Sequence, residues 1–154
     1  ETLIEAIIKN ANECEVMYAP GNHDPSVGYM FARLLKRAYS NQSNITWDIS
    51  LKHYKGTMLG HNFIGATHGD KGKNNYLAKY LDEFGFMLGT AQNRELFTGH
   101  LHSEMSKDLG GFVQRQVSTR KPNDRWTDDL GVVAHKTFEL VEYSDHNTTA
   151  IYYV

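Results

Sequence analysis

The chain has 154 residues, of which 40% are hydrophobic, 12% aromatic and 22% charged. This composition is typical of a folded globular domain and excludes disordered and collagen-like classes. Sixteen basic against 18 acidic residues give a net charge of −2, so a nucleic acid would need a local binding site. The single cysteine, Cys14, excludes a disulfide within the chain. Without a membrane-spanning apolar run or a leader pattern, we expect a cytoplasmic protein with no membrane partner.

Apolar residues at helical spacing predict two helices in the first 40 residues, over 2–13 and 26–38. Between them, a short apolar strand at 16–19 leads into a loop with two prolines and a glycine at 20–25. The second helix has the most regular apolar stripe, and we expect that stripe to face a core. Its members are Val27, Met30, Phe31, Leu34, Leu35 and Ala38.

The rest of the chain is predicted to be richer in strands. Strands are expected over 45–49, 51–59, 63–67, 95–98, 112–118, 136–143 and 149–154, with a helix over 76–87. Helices and strands alternate at first and strands dominate the end, which favours an α/β fold with mixed sheets. We expect one domain over 1–154.

Polar, histidine-bearing loops follow three of the predicted strands. Ligand sites of α/β sheets lie beyond the carboxyl ends of strands, so these loops are expected to converge. Imidazole nitrogens and an amide oxygen suit manganese, iron or zinc, and His-x-His lets one short segment reach two ions. The residues in question are Asn22, His23 and Asp24, then His68, then His100 and His102.

These blocks, in this order and each after a strand, resemble the last three motif blocks of the calcineurin-like metallophosphoesterases. The resemblance implies a four-layer αββα sandwich with a two-metal site between two sheets. By the same resemblance, Asn22, His68 and His100 are ligands of the second metal, and His102 is a ligand of the first. His23 resembles the catalytic histidine that protonates the leaving oxygen, and Asp24 would orient its loop.

The activity implied by the resemblance is two-metal hydrolysis of a phosphate ester, with manganese as the first expectation and iron or zinc as alternatives. A phosphodiesterase or nuclease, similar to the bacterial and phage DNA-repair exonucleases, is expected over a phosphomonoesterase or protein phosphatase. Arg120, Arg125 and Trp126 follow the last block and suit a phosphate chain with a stacked base. Ordinary surface residues are an equally weighted alternative for these three.

The family's two earlier blocks, Asp-x-His and Gly-Asp-x-x-Asp or Asn, would precede residue 1. We therefore expect the domain to be amino-terminally incomplete, to lack strands, and to be inactive alone. Self-association or a complementing amino-terminal segment is the expected partner, besides the phosphate-ester substrate. A truncated or degenerate partner-binding module without catalysis is the alternative.

Simpler explanations exist for each histidine loop. A polar turn would account for residues 22–24 or for His100 with His102, and a satisfied polar residue at a strand end would account for His68. The remaining histidines, His53, His61, His135 and His146, are expected at the surface with no role.

Overall fold

The computed structural model describes residues 3–23, 25–72, 75–119 and 136–154. The chain forms two compact units, Glu1–His53 and Tyr54–Val154. The single domain expected from sequence stays a prediction. Within the described ranges, no helix has the length and apolar character needed to cross a bilayer.

The first unit contains two helices and two short parallel strands. Its elements are α1 (Leu3–Asn10), β1 (Cys14–Met17), α2 (Pro25–Ala38) and β2 (Ile45–Asp48). Strands β1 and β2 pair in parallel, with Cys14 opposite Ile45 and Met17 opposite Asp48. The amide of Asn44 donates to the carbonyls of Ile8 and Ala11, which ties the end of α1 to the start of β2. The predicted elements of this unit are therefore confirmed, with boundaries shifted by a few residues.

Helix α2 does not bury the apolar stripe that its sequence predicts. Val27, Met30, Phe31 and Leu34 are between 58% and 71% exposed, and Ala32 is the buried residue of this helix. The expectation that the stripe faces a core is wrong for the structure described. The sheet of this unit has two strands of four residues each, which is too little surface to cover a helix of 14 residues.

The second unit is built around a five-stranded mixed sheet. Its elements are β3 (Lys55–Leu59), β4 (Asn62–Thr67), α3 (Tyr76–Thr90), β5 (Asn93–Thr98), β6 (Met105–Asp108), β7 (Val113–Gln116), β8 (Glu139–Tyr143) and β9 (Thr148–Tyr153). The strand order is β3-β4-β5-β7-β6, with β4, β5 and β7 parallel and the two outer strands antiparallel. The α/β class with mixed sheets is thus confirmed. Strand β6 was not predicted because all four of its side chains are exposed, so no alternating apolar pattern marks it.

The core of this unit lies between α3 and the sheet. Phe63, Tyr80, Leu96 and Phe112 are almost fully buried, and their aromatic rings contact one another edge-on or tilted. The Tyr80 hydroxyl donates to the Ala66 carbonyl at 2.9 Å. A side chain at Gly65 would approach the Tyr80 ring to 2.8 Å, so this glycine permits the close packing of α3 on β4.

The β8–β9 hairpin is joined to the sheet by a buried polar network centred on Glu95 of β5. The carboxylate, 2% exposed, accepts two hydrogen bonds from the Arg115 guanidinium, at 2.8 and 3.1 Å. The Tyr143 and Thr148 hydroxyls each donate to it at 2.7 Å. Burial alone raises the pKa of Glu95, but the donors outweigh burial and the net pKa is lowered. The carboxylate is therefore ionised at neutral pH and holds the hairpin against β5 and β7.

Candidate metal centre

Three candidate histidines lie beyond the carboxyl ends of two neighbouring parallel strands. Thr67 at the end of β4 is opposite Thr98 at the end of β5, so the loops that follow leave the sheet side by side. The Gly99 amide donates to the His68 carbonyl at 2.9 Å, which links the two loops directly. Gly69 has a φ of 101°, and a side chain there would meet the Gly99 carbonyl at 3.1 Å. The glycine in this position thus permits the close approach of the loops.

The structure brings His68 and His100 together. Both are half-buried, and their ring centroids are 5.2 Å apart with an interplanar angle of 72°. An imidazole bound through nitrogen at about 2.0–2.1 Å has its ring centre about 3.2 Å from the metal, so two rings at a tetrahedral angle are separated by about 5.2 Å. The centroid spacing is thus the one that two imidazoles on one tetrahedral cation have, and it is also the spacing of an edge-on ring pair.

The loop that carries His100 and His102 has a strained backbone. Both histidines are in the left-handed region, with φ values of 70° and 56°. Such a conformation costs on the order of 1–3 kcal/mol for a residue with a side chain and clusters at functional sites. The Leu101 amide donates to the Gly99 carbonyl at 2.9 Å, which tightens the turn further. The strain is a physical reason to regard this loop as functional.

Buried glutamines of β7 form hydrogen bonds at the two ends of the loop that carries His100 and His102. The Gln116 amide, in a residue only 5% exposed, donates to the Ser103 carbonyl at 2.7 Å and to its hydroxyl at 2.9 Å. The Gln114 amide donates to the Thr98 hydroxyl at 3.1 Å. The loop is thus anchored at both ends, at Thr98 and at Ser103, by side chains of the neighbouring strand. The sequence did not single out either glutamine, because these contacts are long-range in the chain.

Asp70 is a further residue of this edge that the sequence reading missed. Its side chain is 9% exposed, and its carboxylate lies 3.3 Å from the Lys71 ammonium. Burial raises its pKa, but hydrogen bonding and charge from Lys71, together with the charge of His68, lower the net pKa. An ionised carboxylate therefore acts electrostatically on His68. The sequence signal was the acidic residue two positions after a strand-end histidine.

The other predicted site residues are placed differently. Asn22 and His23 are exposed in the loop between β1 and α2 of the first unit. Their convergence with the histidines of the second unit, and metal binding by His102, stay predictions. Asp24, Arg120, Arg125 and Trp126 lie outside the described residues.

Metal-ligand atoms cluster at a second place, which the sequence reading left without a role. Across ranges 3–23, 25–72, 75–119 and 136–154, one group of three such residues has ligand atoms all within 4.8 Å of one another. It consists of His61, Asp145 and His146, all exposed. No sequence signal marked it, because 84 residues separate His61 from Asp145.

Comparisons with known proteins bear on the fold. No protein-family model and no curated protein matches the chain. A double variant of Vps29 from Entamoeba histolytica matches with a TM-score of 0.52 and 20% identity, covering 97% of this chain and 79% of that one. Zinc-bound Vps29 from the same organism matches with a TM-score of 0.43 and 17% identity over 91% and 88%. A predicted phosphoesterase from Streptococcus pneumoniae matches with a TM-score of 0.39 and 11% identity over 91% and 95%.

The likeness to the Vps29 double variant concerns the fold alone, since the sequences are only 20% identical. It agrees with the mixed sheet and helices described above. The chain has the fold of the calcineurin-like metallophosphoesterases.

Proposed function

We propose that this chain is the metal-binding part of a metal-dependent phosphoesterase. The observation that carries the proposal is the pairing of His68 with His100 at 5.2 Å, at the ends of two parallel strands. The left-handed backbone at His100 and His102 supports it, because strain of this kind is retained where function needs it. The fold supports the general class of phosphoesterases, and the reaction is inferred from the residues of the site.

The available donors suit divalent transition metals. His68 and His100, joined by Asn22, would hold one cation, and His102 would hold a second. Imidazole and amide donors without thiolates suit manganese, iron and zinc, of which we propose manganese. When bound, the two cations would supply a polarised water and neutralise charge on the phosphoryl oxygens.

His23 is the proposed general acid of the reaction. Histidine is the side chain that most often delivers a proton to a leaving oxygen in enzymes. Its exposed position in the loop before α2 leaves the ring accessible to a substrate. Asp24 would orient the loop that carries it.

A nucleic-acid phosphodiester is the proposed substrate. The first unit has an open groove of about 830 Å³. Its lining includes three cationic side chains, all from α2, and three aromatic side chains from α2 and the residues that follow it. Cations that track phosphates and rings that stack on bases are what single-stranded nucleic acid requires. The six side chains are Arg33, Lys36, Arg37, Tyr29, Tyr39 and Trp47. Arg120, Arg125 and Trp126 are further proposed contacts of the substrate, and the proposed setting is cytoplasmic.

Titration of manganese into the chain is the first test. Isothermal titration is expected to show binding that is lost in both His68→Ala and His100→Ala. His53→Ala is the matched control, since His53 is an exposed histidine with no proposed role. His61→Ala should likewise leave this binding unchanged. Binding that persists in the His68 and His100 variants and is not removed by adding His61→Ala would overturn the proposed centre.

Hydrolysis is then compared for bis-p-nitrophenyl phosphate and p-nitrophenyl phosphate with manganese. The chain is assayed alone and in a longer form that carries the two earlier motif blocks. The longer form is expected to cleave the diester, and His23→Ala should lower its rate about 100-fold or more. Preferential cleavage of the monoester would refute the nuclease proposal, and an inactive longer form with intact metal binding would favour the non-catalytic module. Self-association of the chain is a separate proposal. Sedimentation at high concentration is expected to show species larger than the monomer, and a clean monomer would contradict it.

A further inference from the structure

Two turns of the second unit meet at the end of the sheet where β4 begins. His61 lies in the turn between β3 and β4, whereas Asp145 and His146 lie in the turn between β8 and β9. His61 Nδ1 is 3.1 Å from Asp145 Oδ2, and His146 Nε2 is 3.6 Å from the same oxygen. The two imidazole rings are 4.8 Å apart between centroids. One carboxylate oxygen thus stands between two imidazoles.

The backbone beneath this group is held by buried hydrogen bonds. Asn62, which is 0% exposed, donates through its amide to the carbonyls of Ser144 and Asp145 at 2.8 and 3.2 Å. The His61 backbone N–H donates to the Asp145 carbonyl at 2.8 Å, and the Gln92 backbone N–H donates to the His61 carbonyl at 2.9 Å. The main chains of the two turns are therefore fixed relative to each other before any ligand binds.

Gly60 completes this arrangement. Its φ of 58° is one that residues with side chains rarely adopt, and a side chain there would clash with Asp145 Oδ1. The turn thus leaves room for the Asp145 carboxylate to reach His61. The distances also suit a metal, because ligand atoms about 2.0–2.1 Å from a tetrahedral zinc ion are separated by about 3.3 Å.

We propose that His61, Asp145 and His146 form a surface site for a zinc-class transition-metal ion. Two imidazoles and one carboxylate are three of the four ligands that zinc takes in protein sites with an open position. All three side chains are at least 50% exposed, so water or a donor from another molecule has access to the fourth position. The ligand atoms lie within 4.8 Å of one another, so the exposed side chains would close by up to about 1.5 Å in separation to surround the ion.

The site is separate from the centre proposed above. His61 precedes β4 and His68 follows it, and the six residues of the strand span about 20 Å at about 3.3 Å per residue. A cation at one end therefore shares no ligand with a cation at the other. A bound ion would connect the β3–β4 turn to the β8–β9 turn through side chains, in addition to the Asn62 contacts.

The test uses zinc alone, titrated into the full chain with His68→Ala and His100→Ala present to remove the other histidine pair. Isothermal titration is expected to show one zinc per chain in this background. Adding His146→Ala or His61→Ala is expected to weaken binding about tenfold or more, since loss of even an outer-shell partner weakens metal affinity about 10–100-fold. His53→Ala, in the same background, is the matched control and should change nothing.

Cobalt provides a second readout, because a visible absorption band reports its coordination by protein ligands. The band is expected in the background variant and is expected to disappear with His146→Ala. Circular dichroism confirms that each variant is folded, and His146→Ala keeps the backbone bond from its amide to the Ser144 hydroxyl. Absence of zinc binding in the folded background variant, or binding that survives both His61→Ala and His146→Ala, would overturn the proposal.

Discussion

Replacement of Arg115 by leucine tests how the buried Glu95 network holds the second unit together. The Glu95 carboxylate accepts two of its four hydrogen bonds from the guanidinium, so the variant leaves a buried charge with only the Tyr143 and Thr148 hydroxyls as donors. Removing one partner of a buried ion pair costs about 3–5 kcal/mol. Because the Arg115 side chain is 19% exposed, water relieves part of this cost, and we expect about 3 kcal/mol.

The assay is urea unfolding at pH 7, monitored by far-ultraviolet circular dichroism. The dependence of the free energy of unfolding on urea concentration is compared between variants. The matched control is the double variant Glu95→Gln with Arg115→Leu, whose neutral amide accepts from one of the Tyr143 and Thr148 hydroxyls through its oxygen and donates to the other through its NH2 group. It is expected to be more stable than Arg115→Leu by about 1 kcal/mol or more, as contacting residues are coupled. A loss below about 1 kcal/mol for Arg115→Leu, or equal losses in the two variants, would refute this reasoning.

The pH dependence gives an independent check of the same network. Burial raises the pKa of Glu95, but the hydrogen bonds from Arg115, Thr148 and Tyr143 lower it below its ordinary value of 4.5 in the folded chain. The unfolded chain therefore takes up this proton first as the pH falls. The stability from Glu95 is fully present above the ordinary pKa and is lost as the pH falls through the folded pKa. Below pH 4.5, Glu95→Gln is expected to lose stability less steeply than the wild type.

Four further predictions concern the proposed sites. His100→Gly is expected to raise the free energy of unfolding by about 1 kcal/mol while removing manganese binding, because glycine adopts the left-handed backbone without strain; a less stable variant in urea unfolding would contradict this. Gly60→Ala should cost about 1–2 kcal/mol and weaken zinc binding at His61, Asp145 and His146, since the new side chain displaces the Asp145 carboxylate; unchanged zinc titration would speak against that site. Gln116→Leu should cost about 1–3 kcal/mol in urea unfolding and weaken manganese binding, whereas the exposed Lys107→Gln should do neither; equal manganese affinities would exclude a positioning role. Single-stranded oligonucleotide binding is expected to weaken less with salt in Arg33→Ala with Arg37→Ala. The slope of the logarithm of the binding constant against the logarithm of the salt concentration should become shallower by about 0.7 per lost phosphate contact, with Lys9→Ala as control. An unchanged slope would contradict substrate binding in the groove.

Periodicity determined the elements of this chain well. The alternation in β4 and the helical repeats of α1, α2 and α3 are local properties, because a side chain's face follows from its position in a regular backbone. The strand-end loops with His68, His100 and His102 were also readable, since a motif after a strand needs no knowledge of distant residues. Strand β6 was not predicted from the sequence, because it pairs at a sheet edge through its backbone and all its side chains are exposed.

What each face contacts was decided by the tertiary structure. The stripe of α2 predicts burial, yet burial depends on how much sheet surface the neighbouring strands provide, which the helix sequence does not encode. The left-handed residues His100 and His102 lie between Gly99 and Ser103, which hydrogen bond to His68 and Gln116 in other parts of the unit.

The sequence by itself thus determined the α/β class, most strands and helices, and the histidine loops at the ends of β4 and β5. Only the tertiary structure decided that His61 meets Asp145 and His146, because 84 residues separate the two turns and no local pattern records their contact. The same holds for Glu95, whose partners come from β7, β8 and β9. Long-range pairs of polar groups depend on the register and docking of strands, and these are set by the packing of the whole unit.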